Sequence, residues 1–544
     1  MSAAALTVAE AALPEPSSCL KCNPWIIALI VVVPTFMEVL DTTIANVALR
    51  YIAGGLSATV SDGAWVITSY LAANAVILPI SGWLSAHLGR RNYFLISIAV
   101  FTLASAACGM AQSLEQLILF RVLQGLAGGG LQPSSQGVLL DTFPKEKQGL
   151  AMTIFGIAAL IAPVIGPTLG GYITDNPDLS WRWIFYINVP VGGLAFVLSY
   201  LLLDDPEYLK RERAANRLKH ERFDLMGLGL LVLTMSSWEI ILSKGQEWDW
   251  FGDAFWRVQT LAVVFVGSLG GLIWRELSIA NPVVNFRVLK ERNLSMACII
   301  IFCAFGVLYG STTALPGLLQ SLFGYDATSS GLVLSPAGLF SLIMLPIVGG
   351  MLGRGTDARK LIAMGVLTMG VSNFWLAHMN LEISPWQVVW PRVVQIVGLS
   401  MIFAPLTVAA FFYTPLSMRA AAVGLLSLLR NEGGSVGASM AGTIQERREL
   451  FHSARLVDFL DPLNPEVNAF TQQTTQSFLQ QTGDPAGAHL MAVQELANLR
   501  DQQSAALAYF DVFWVFGAVA SGLVVLVFLM KRSVAQKGAH LAAE

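Results

Sequence analysis

The stretch Trp25–Leu49, WIIALIVVVPTFMEVLDTTIANVAL, decides the fold. It holds no basic residue, and its acidic residues are Glu38 and Asp41 alone. A helix needs about 20 predominantly apolar residues to cross about 30 Å of hydrocarbon, and this run is long enough. It exceeds the apolar core of a secretion signal and has only Lys21 as a basic residue ahead of it, so it reads as a retained first span.

Runs of the same kind recur to Met530. The sequence predicts spans near 25–48, 63–86, 93–111, 115–140, 148–172, 183–203, 224–243, 255–277, 294–320, 329–352, 361–379, 386–412, 420–442 and 509–530. That is an all-α membrane protein of fourteen spanning helices. The composition agrees: 55% of 544 residues are hydrophobic and 13% charged, more apolar surface than a soluble chain of this length hides.

An even number of spans puts both ends on one side, and the basic residues indicate which. Arg90 and Arg91, Lys145 and Lys147, the run from Lys210 to Arg222, Arg354 with Arg359 and Lys360, and Lys531 with Arg532 share the side of the N-terminus. The opposite short loops hold few, such as Arg50, Arg182 and Lys244. Both termini are therefore expected in the cytoplasm. The net charge of −3 gives no hint of nucleic acid.

Internal repetition refines the count. Arg121-Val-Leu-Gln124 in the fourth span returns as Arg392-Val-Val-Gln395 in the twelfth, and at the same offset of 271 residues Gly166 and Gly171 correspond to Gly437 and Gly442. Gly82, Leu84 and Arg91 are echoed by Gly350, Leu352 and Arg359. Span four matches span twelve rather than ten, so two extra helices separate two six-helix units. The expected segments are an N-terminal tail (1–24), a first six-helix bundle (25–203), a charged helical cytoplasmic linker (204–223), two inserted spans (224–277), a second bundle (278–530) that includes a long Gln-rich external segment (443–508), and a C-terminal tail (531–544).

Ionisable residues at bilayer depth are costly and usually retained for a reason. Glu38 and Asp41 share a helix face that Thr42 and Asn46 widen into a polar stripe. Asp41 and Arg121 sit at matching depth, about 10 Å from the external end, and are placed to pair across a cavity. Two readings are open: a fixed structural ion pair, or a carboxylate that takes a proton and a cationic substrate in turn, with Arg121 holding its proton affinity in range. Arg430 and Glu432 in span thirteen invite the same two readings. Glu239, in an inserted helix expected outside the core, reads as structural.

Chemistry of other kinds has little support. Cys108, Cys298 and Cys303 lie in apolar runs as small hydrophobes, and Cys19 and Cys22 form a lone CxxC with no second pair to complete a zinc site. Six His without metal-ligand spacing argue against a membrane enzyme. No Walker-type loop is present, so no cofactor is expected and the energy source is a gradient.

The sequence resembles the fourteen-span drug:proton antiporters of the major facilitator superfamily, the EmrB/QacA group, and more the EmrB type. The resemblance rests on Leu40-Asp-Thr-Thr-Ile-Ala-Asn46-Val-Ala-Leu49, on Gly82-Trp-Leu84 with Gly89-Arg90-Arg91, on Arg121-Val-Leu-Gln124-Gly125, on Pro163-Val-Ile-Gly166-Pro167-Thr-Leu-Gly170-Gly171, and on Trp181-Arg-Trp-Ile-Phe-Tyr-Ile-Asn188-Val-Pro190. It implies a major facilitator fold, alternating access, and inward proton flow driving export of toxic amphipathic compounds. It further implies a bacterial inner-membrane pump working with a periplasmic adaptor (EmrA type) and an outer-membrane channel (TolC type). The family's loop motif usually carries an acidic residue where Ala86 stands, so its Asp-to-Arg latch is not expected, and Arg50 replaces the Pro that usually ends the first-span motif.

The span-five Gly and Pro residues suit either a rocking helix or a merely tight crossing. Gly89-Arg90-Arg91 suits a charged gate or simple positive-inside anchoring. On this reading Asp41 or Glu38 takes the proton, and Arg121 completes the coupling site by holding the carboxylate's proton affinity in range. Asn46 and Gln124 supply neutral hydrogen bonds, and Phe155 and Tyr309 line an adaptable pocket. A proton-coupled exporter or importer of a dedicated metabolite, or an uncoupled channel or sensor on the same fold, are the alternatives; the substrate has no linear code.

Overall fold

The computed structural model describes residues 23–533 apart from 145–146, 177, 206–209, 211–223, 280–281, 383, 416–417 and 462. The CxxC, Lys145, most of the charged linker and nearly all of both tails lie outside the described residues. Twelve helices among those described are long and apolar enough to cross a bilayer. Two more elements complete a set consistent with fourteen. Span 4 is split into Leu114–Gly128 and Leu131–Thr142, and span 13, Arg419–Val457, carries Arg430 and Glu432 in its buried half.

Local chemistry sets the helix ends. Asn23 Oδ1 accepts from the Trp25 amide at 3.0 Å ahead of span 1, Pro24–Gly55, with Pro24 in the first turn where no amide is needed. Ser113 caps span 4, and Ser384 with Gln387 forms a reciprocal capping box on span 12, Pro385–Phe411. Gly89, between span 2 (Trp65–Leu88) and span 3 (Arg90–Met110), has φ 88°, a conformation that glycine adopts without a Cβ penalty. Span 4 breaks at Gly129 and Gly130, where the chain runs against Asn74 and Tyr93.

The packing repeats. Span 1 packs on span 5 (Gln148–Asp175) as span 9 (Arg292–Leu322) packs on span 13. Spans 2 and 4 pair as do span 10 (Ala327–Leu334 and Pro336–Gly353) and span 12. Span 3 pairs with span 6 (Asn188–Leu202) as span 11 (Ala358–Ala377) pairs with span 14 (Pro485–Phe528). The two bundles meet through spans 2 with 13 and 5 with 10, which are equivalent pairs under the repeat. The sequence offset thus reappears as a contact pattern.

Small residues make these crossings close. Gly166 and Gly170 of span 5 lie on Thr43 and Ile44 of span 1, and Gly331 and Gly338 of span 10 lie on Thr168 and Val164 of the same span 5. Pro163 and Pro167 sit inside span 5, and Gly171 is buried with them. A Gly166→Leu variant forces side-chain atoms into Thr43. The expected cost is about 1–3 kcal/mol, read as a lower melting temperature of the detergent-solubilised protein; an unchanged melting curve contradicts this close approach.

The inserted pair, span 7 (Leu225–Lys244) and span 8 (Arg257–Ser278), packs on itself. Span 7 also rests on spans 2 and 13, while span 8 turns outward with Val263 73% and Trp274 71% exposed. Apolar surface of that kind faces lipid. The segment 443–508 proves to be helical rather than a loose stretch. Span 13 continues to Val457, a separate helix follows at Pro465–Thr482, and span 14 begins at Pro485. The 44 residues of that last helix span about 66 Å, roughly twice the hydrocarbon thickness. Arg448 and His452 of span 13 hold Asp511 of span 14 at 2.5 and 2.7 Å, tying the two extensions together.

Candidate functional site

Asp41 does not reach Arg121 across a cavity; it is locked to it. Arg121 Nη1 donates to Asp41 Oδ2 at 2.5 Å and to Gln124 Oε1 at 2.8 Å, and Arg121 Nε donates to the Val66 carbonyl at 3.2 Å. Asp41 Oδ1 accepts from Gln124 at 3.0 Å and from Asn188 at 2.7 Å. Asn188 in turn reaches Ser105 at 3.0 Å, and the guanidinium lies 4.2 Å from the Tyr70 ring centroid. Asp41, Arg121, Gln124 and Asn188 are all buried. Asn46 is exposed and stands outside this network.

The second bundle contains the same device without its carboxylate. Arg392 donates to Gln395, and Gln395 reaches Ser311 at 2.9 Å. At the offset of 271 residues the counterpart of Asp41 is Thr312, whose hydroxyl accepts from Arg392 at 2.5 Å. An Arg–Gln pair on span 4 or 12 facing a polar residue on span 1 or 9 is therefore built into both halves.

Glu38, one turn before Asp41 on the same face, meets a different set of residues. Its Oε1 accepts from Asn74 at 3.0 Å and its Oε2 has no hydrogen-bond partner, although the side chain is 2% exposed. Gln132 of span 4 and Arg430 of span 13 are the further polar and charged groups acting on it. Asn74 also accepts from Asn431 Nδ2 at 3.2 Å, a hydrogen bond that crosses from one bundle to the other. Glu38 therefore lies on the seam between the halves, whereas Asp41 lies inside one of them.

Arg430 completes the seam. Its guanidinium sits 5.6, 5.7 and 6.0 Å from the ring centroids of Phe155, Phe305 and Phe403, and its Nη2 has no partner. Cation–π contact compensates part of the desolvation. Tyr309, at the repeat position of Glu38, lies over Gly434 and beside Phe305. Phe155 and Tyr309 are thus brought to one place from spans 5 and 9.

Glu432, two residues from Arg430, points away from it and meets Glu239 of the inserted span 7. Span 7, expected outside the two six-helix bundles, packs against spans 2 and 13, and this contact brings Glu239 to the second bundle.

The arginines of the loop after span 2 are held by residues of spans 4 and 6 and of the segment after span 6. Gly82 packs on the backbone at Ala420, where span 2 meets span 13. Arg90 pairs with Asp141 of span 4 and donates to the Gly137 carbonyl at 2.9 Å. Arg91 donates to the Tyr200 carbonyl at 2.7 Å, while its amide reaches Asp205 at 2.8 Å. The acidic partner of Arg90 thus comes from span 4, and Ala86 has no charge to offer.

Sequence reading singled out neither Asn74, Asn431 and Asp141 nor Phe305 and Phe403. The three polar residues carried a usable signal, a polar side chain in an apolar span. Phe305 and Phe403 carried none, because aromatics are common in such helices.

Two helical bundles related by an internal repeat, with buried ionisable groups on the seam, define a membrane carrier. The chain belongs to the Major Facilitator Superfamily, which it matches over residues 31–438. It is 37% identical over 498 residues to the multidrug export protein EmrB of Haemophilus influenzae, covering 91% of this chain and 94% of that one. It is 36% identical to the EmrB of Escherichia coli K12 over 502 residues, 91% and 93% of the two chains. The fatty acid resistance protein FarB of Neisseria gonorrhoeae is 34% identical over 497 residues, 91% and 94% of the chains. The crystal structure of the human organic anion transporter MFSD10 shares the fold with a TM-score of 0.54 at 10% identity, covering 92% of this chain and all of that one. The chain is a multi-pass membrane protein.

Proposed function

We propose that the protein is a proton-driven multidrug exporter of the bacterial inner membrane, with both termini in the cytoplasm, working by alternating access between its two six-helix bundles. The observation that carries this reading is Glu38, a buried carboxyl group on the seam between bundles, with Asn74 and Gln132 of its own bundle and an arginine from the opposite bundle acting on it. A carboxyl group there exchanges its proton as the seam opens to one side or the other. The Asp41–Arg121 pair, sealed by Gln124 and Asn188, serves as scaffold on this reading, and its counterpart in the second half, which keeps the arginine without the carboxylate, supports that role.

Names of the EmrB relatives support export of several compounds, and that of FarB supports lipophilic acids among them. Arg430 fits such acids, since its unpartnered Nη2 beside three aromatic rings offers a charged donor in apolar surroundings. Replacing Arg430 by Met is expected to weaken binding of a lipophilic carboxylic acid by about 10- to 100-fold, the worth of one charge-assisted hydrogen bond. Isothermal titration with a medium-chain fatty acid checks this, and equal affinities contradict it.

The helical projection built on spans 13 and 14 suits docking of a periplasmic adaptor, with an outer-membrane channel beyond it. The proton gradient is the energy source. Export of a dye by purified protein in vesicles, on imposing a pH gradient and then collapsing it with a protonophore, tests the antiport reading. Export that ignores the gradient overturns it.

A further inference from the structure

Glu239 and Glu432 are buried at 2% and 5% exposure, at the contact between the inserted span 7 and span 13. Glu239 Oε1 accepts from Ser435 at 3.0 Å. The Glu432 carboxyl group meets the Glu239 carboxyl group and Trp238, yet neither of its oxygens completes a well-formed hydrogen bond. Two carboxylates in contact inside a medium of low dielectric constant cannot both be ionised, so such a pair holds a proton between them.

No basic side chain among the described residues compensates the pair. Arg430 is turned to its aromatic rings, and Lys244 is held by Ser61 and Glu247 at one end of span 7. Arg275 is held by Asp224 near the other end, beside Glu276 of span 8. On span 2, Tyr70 lies under Arg121 and His87 bonds the Trp83 carbonyl. On the other elements against span 13, Asp141 of span 4 pairs with Arg90, Tyr309 of span 9 lies near Phe305, and Asp511 of span 14 pairs with Arg448.

The position is also linked to the seam between the bundles. Asn431, adjacent to Glu432, makes the 3.2 Å bond to Asn74 across the bundle seam. Asn74 makes the 3.0 Å bond to Glu38. Polar side chains therefore run from Glu38 through Asn74 and Asn431 to the neighbourhood of the dyad, and motion of span 13 against span 2 disturbs both ends.

The geometry points to the Glu239–Glu432 dyad as a second proton-binding site, contributed jointly by the two-helix insert and the second bundle, that releases its proton when the seam rearranges. This rests on the antiport reading and gives the inserted helices a part in it. Glu38 remains the site on the seam, and the dyad adds a second proton to each cycle.

The experiment measures protons released by purified, weakly buffered protein on addition of a transported dye, beside infrared difference spectra of the non-ionised carboxyl C=O band. Native protein is expected to release roughly two protons per dye, and Glu239→Gln and Glu432→Gln each roughly one. Each single variant is also expected to remove the same infrared band, because the proton is shared. Either variant suffices if the other does not fold. Unchanged proton release and an unchanged band in a folded variant overturn the second site. Loss of all gradient-driven export in the native protein overturns instead the antiport reading on which it rests.

Discussion

A Glu38→Gln variant is expected to retain substrate binding and exchange while its gradient-driven export falls well below the native rate, the protons released per dye dropping by roughly one. Gln keeps the shape of the side chain and an oxygen for the Asn74 amide, 3.0 Å away in the native protein, but it cannot take up a proton. Alternating access continues, because the bundle contacts of spans 2 with 13 and 5 with 10 do not depend on that proton. Counterflow of labelled dye with equal pH on both sides measures the retained exchange. Coupled export at the native rate contradicts the assignment.

Arg121→Leu is expected to have the largest effect on stability. It removes the partner at 2.5 Å from Asp41 and leaves a carboxylate with only the neutral donors Gln124 and Asn188. Breaking one side of a buried pair costs about 3–5 kcal/mol, much of the total stability of a folded chain. The yield of monodisperse protein and its melting temperature should both fall sharply. Removing both charges together costs far less, since no unpaired ion remains. A folded Arg121→Leu protein with a native melting curve contradicts the scaffold role.

Much of the fold was legible because a membrane reduces secondary structure to a question of run length. The repeat was legible because Arg121–Gln124 and Arg392–Gln395 are both kept, and the Thr312 counterpart of Asp41 shows how literal the duplication is. The helical nature of 443–508 was obscured because its amphipathic, Gln-rich composition suits loop and helix alike.

The site was legible in part. A residue list places Glu38, Asp41, Arg430 and Glu432 at similar depth, but it does not say which way each side chain leaves its helix. Glu38 and Asp41 share a face, and the turn of rise between them sets Glu38 level with the seam and Asp41 level with Arg121, while two residues of spacing turn Arg430 and Glu432 onto different neighbours. The contact of Glu239 with the second bundle was hidden for a related reason: sequence separates the insert from the core, while packing lays span 7 along the cleft between spans 2 and 13.

The division of labour between Glu38 and Asp41 is tested most directly by export under an imposed pH gradient from vesicles containing the Asp41→Asn/Arg121→Met double variant. The account predicts that this protein, with no charge left in the sealed pair, still exports its dye in proportion to the gradient. Dye exchange that persists in the double variant without any response to the gradient would contradict it and return the proton to Asp41.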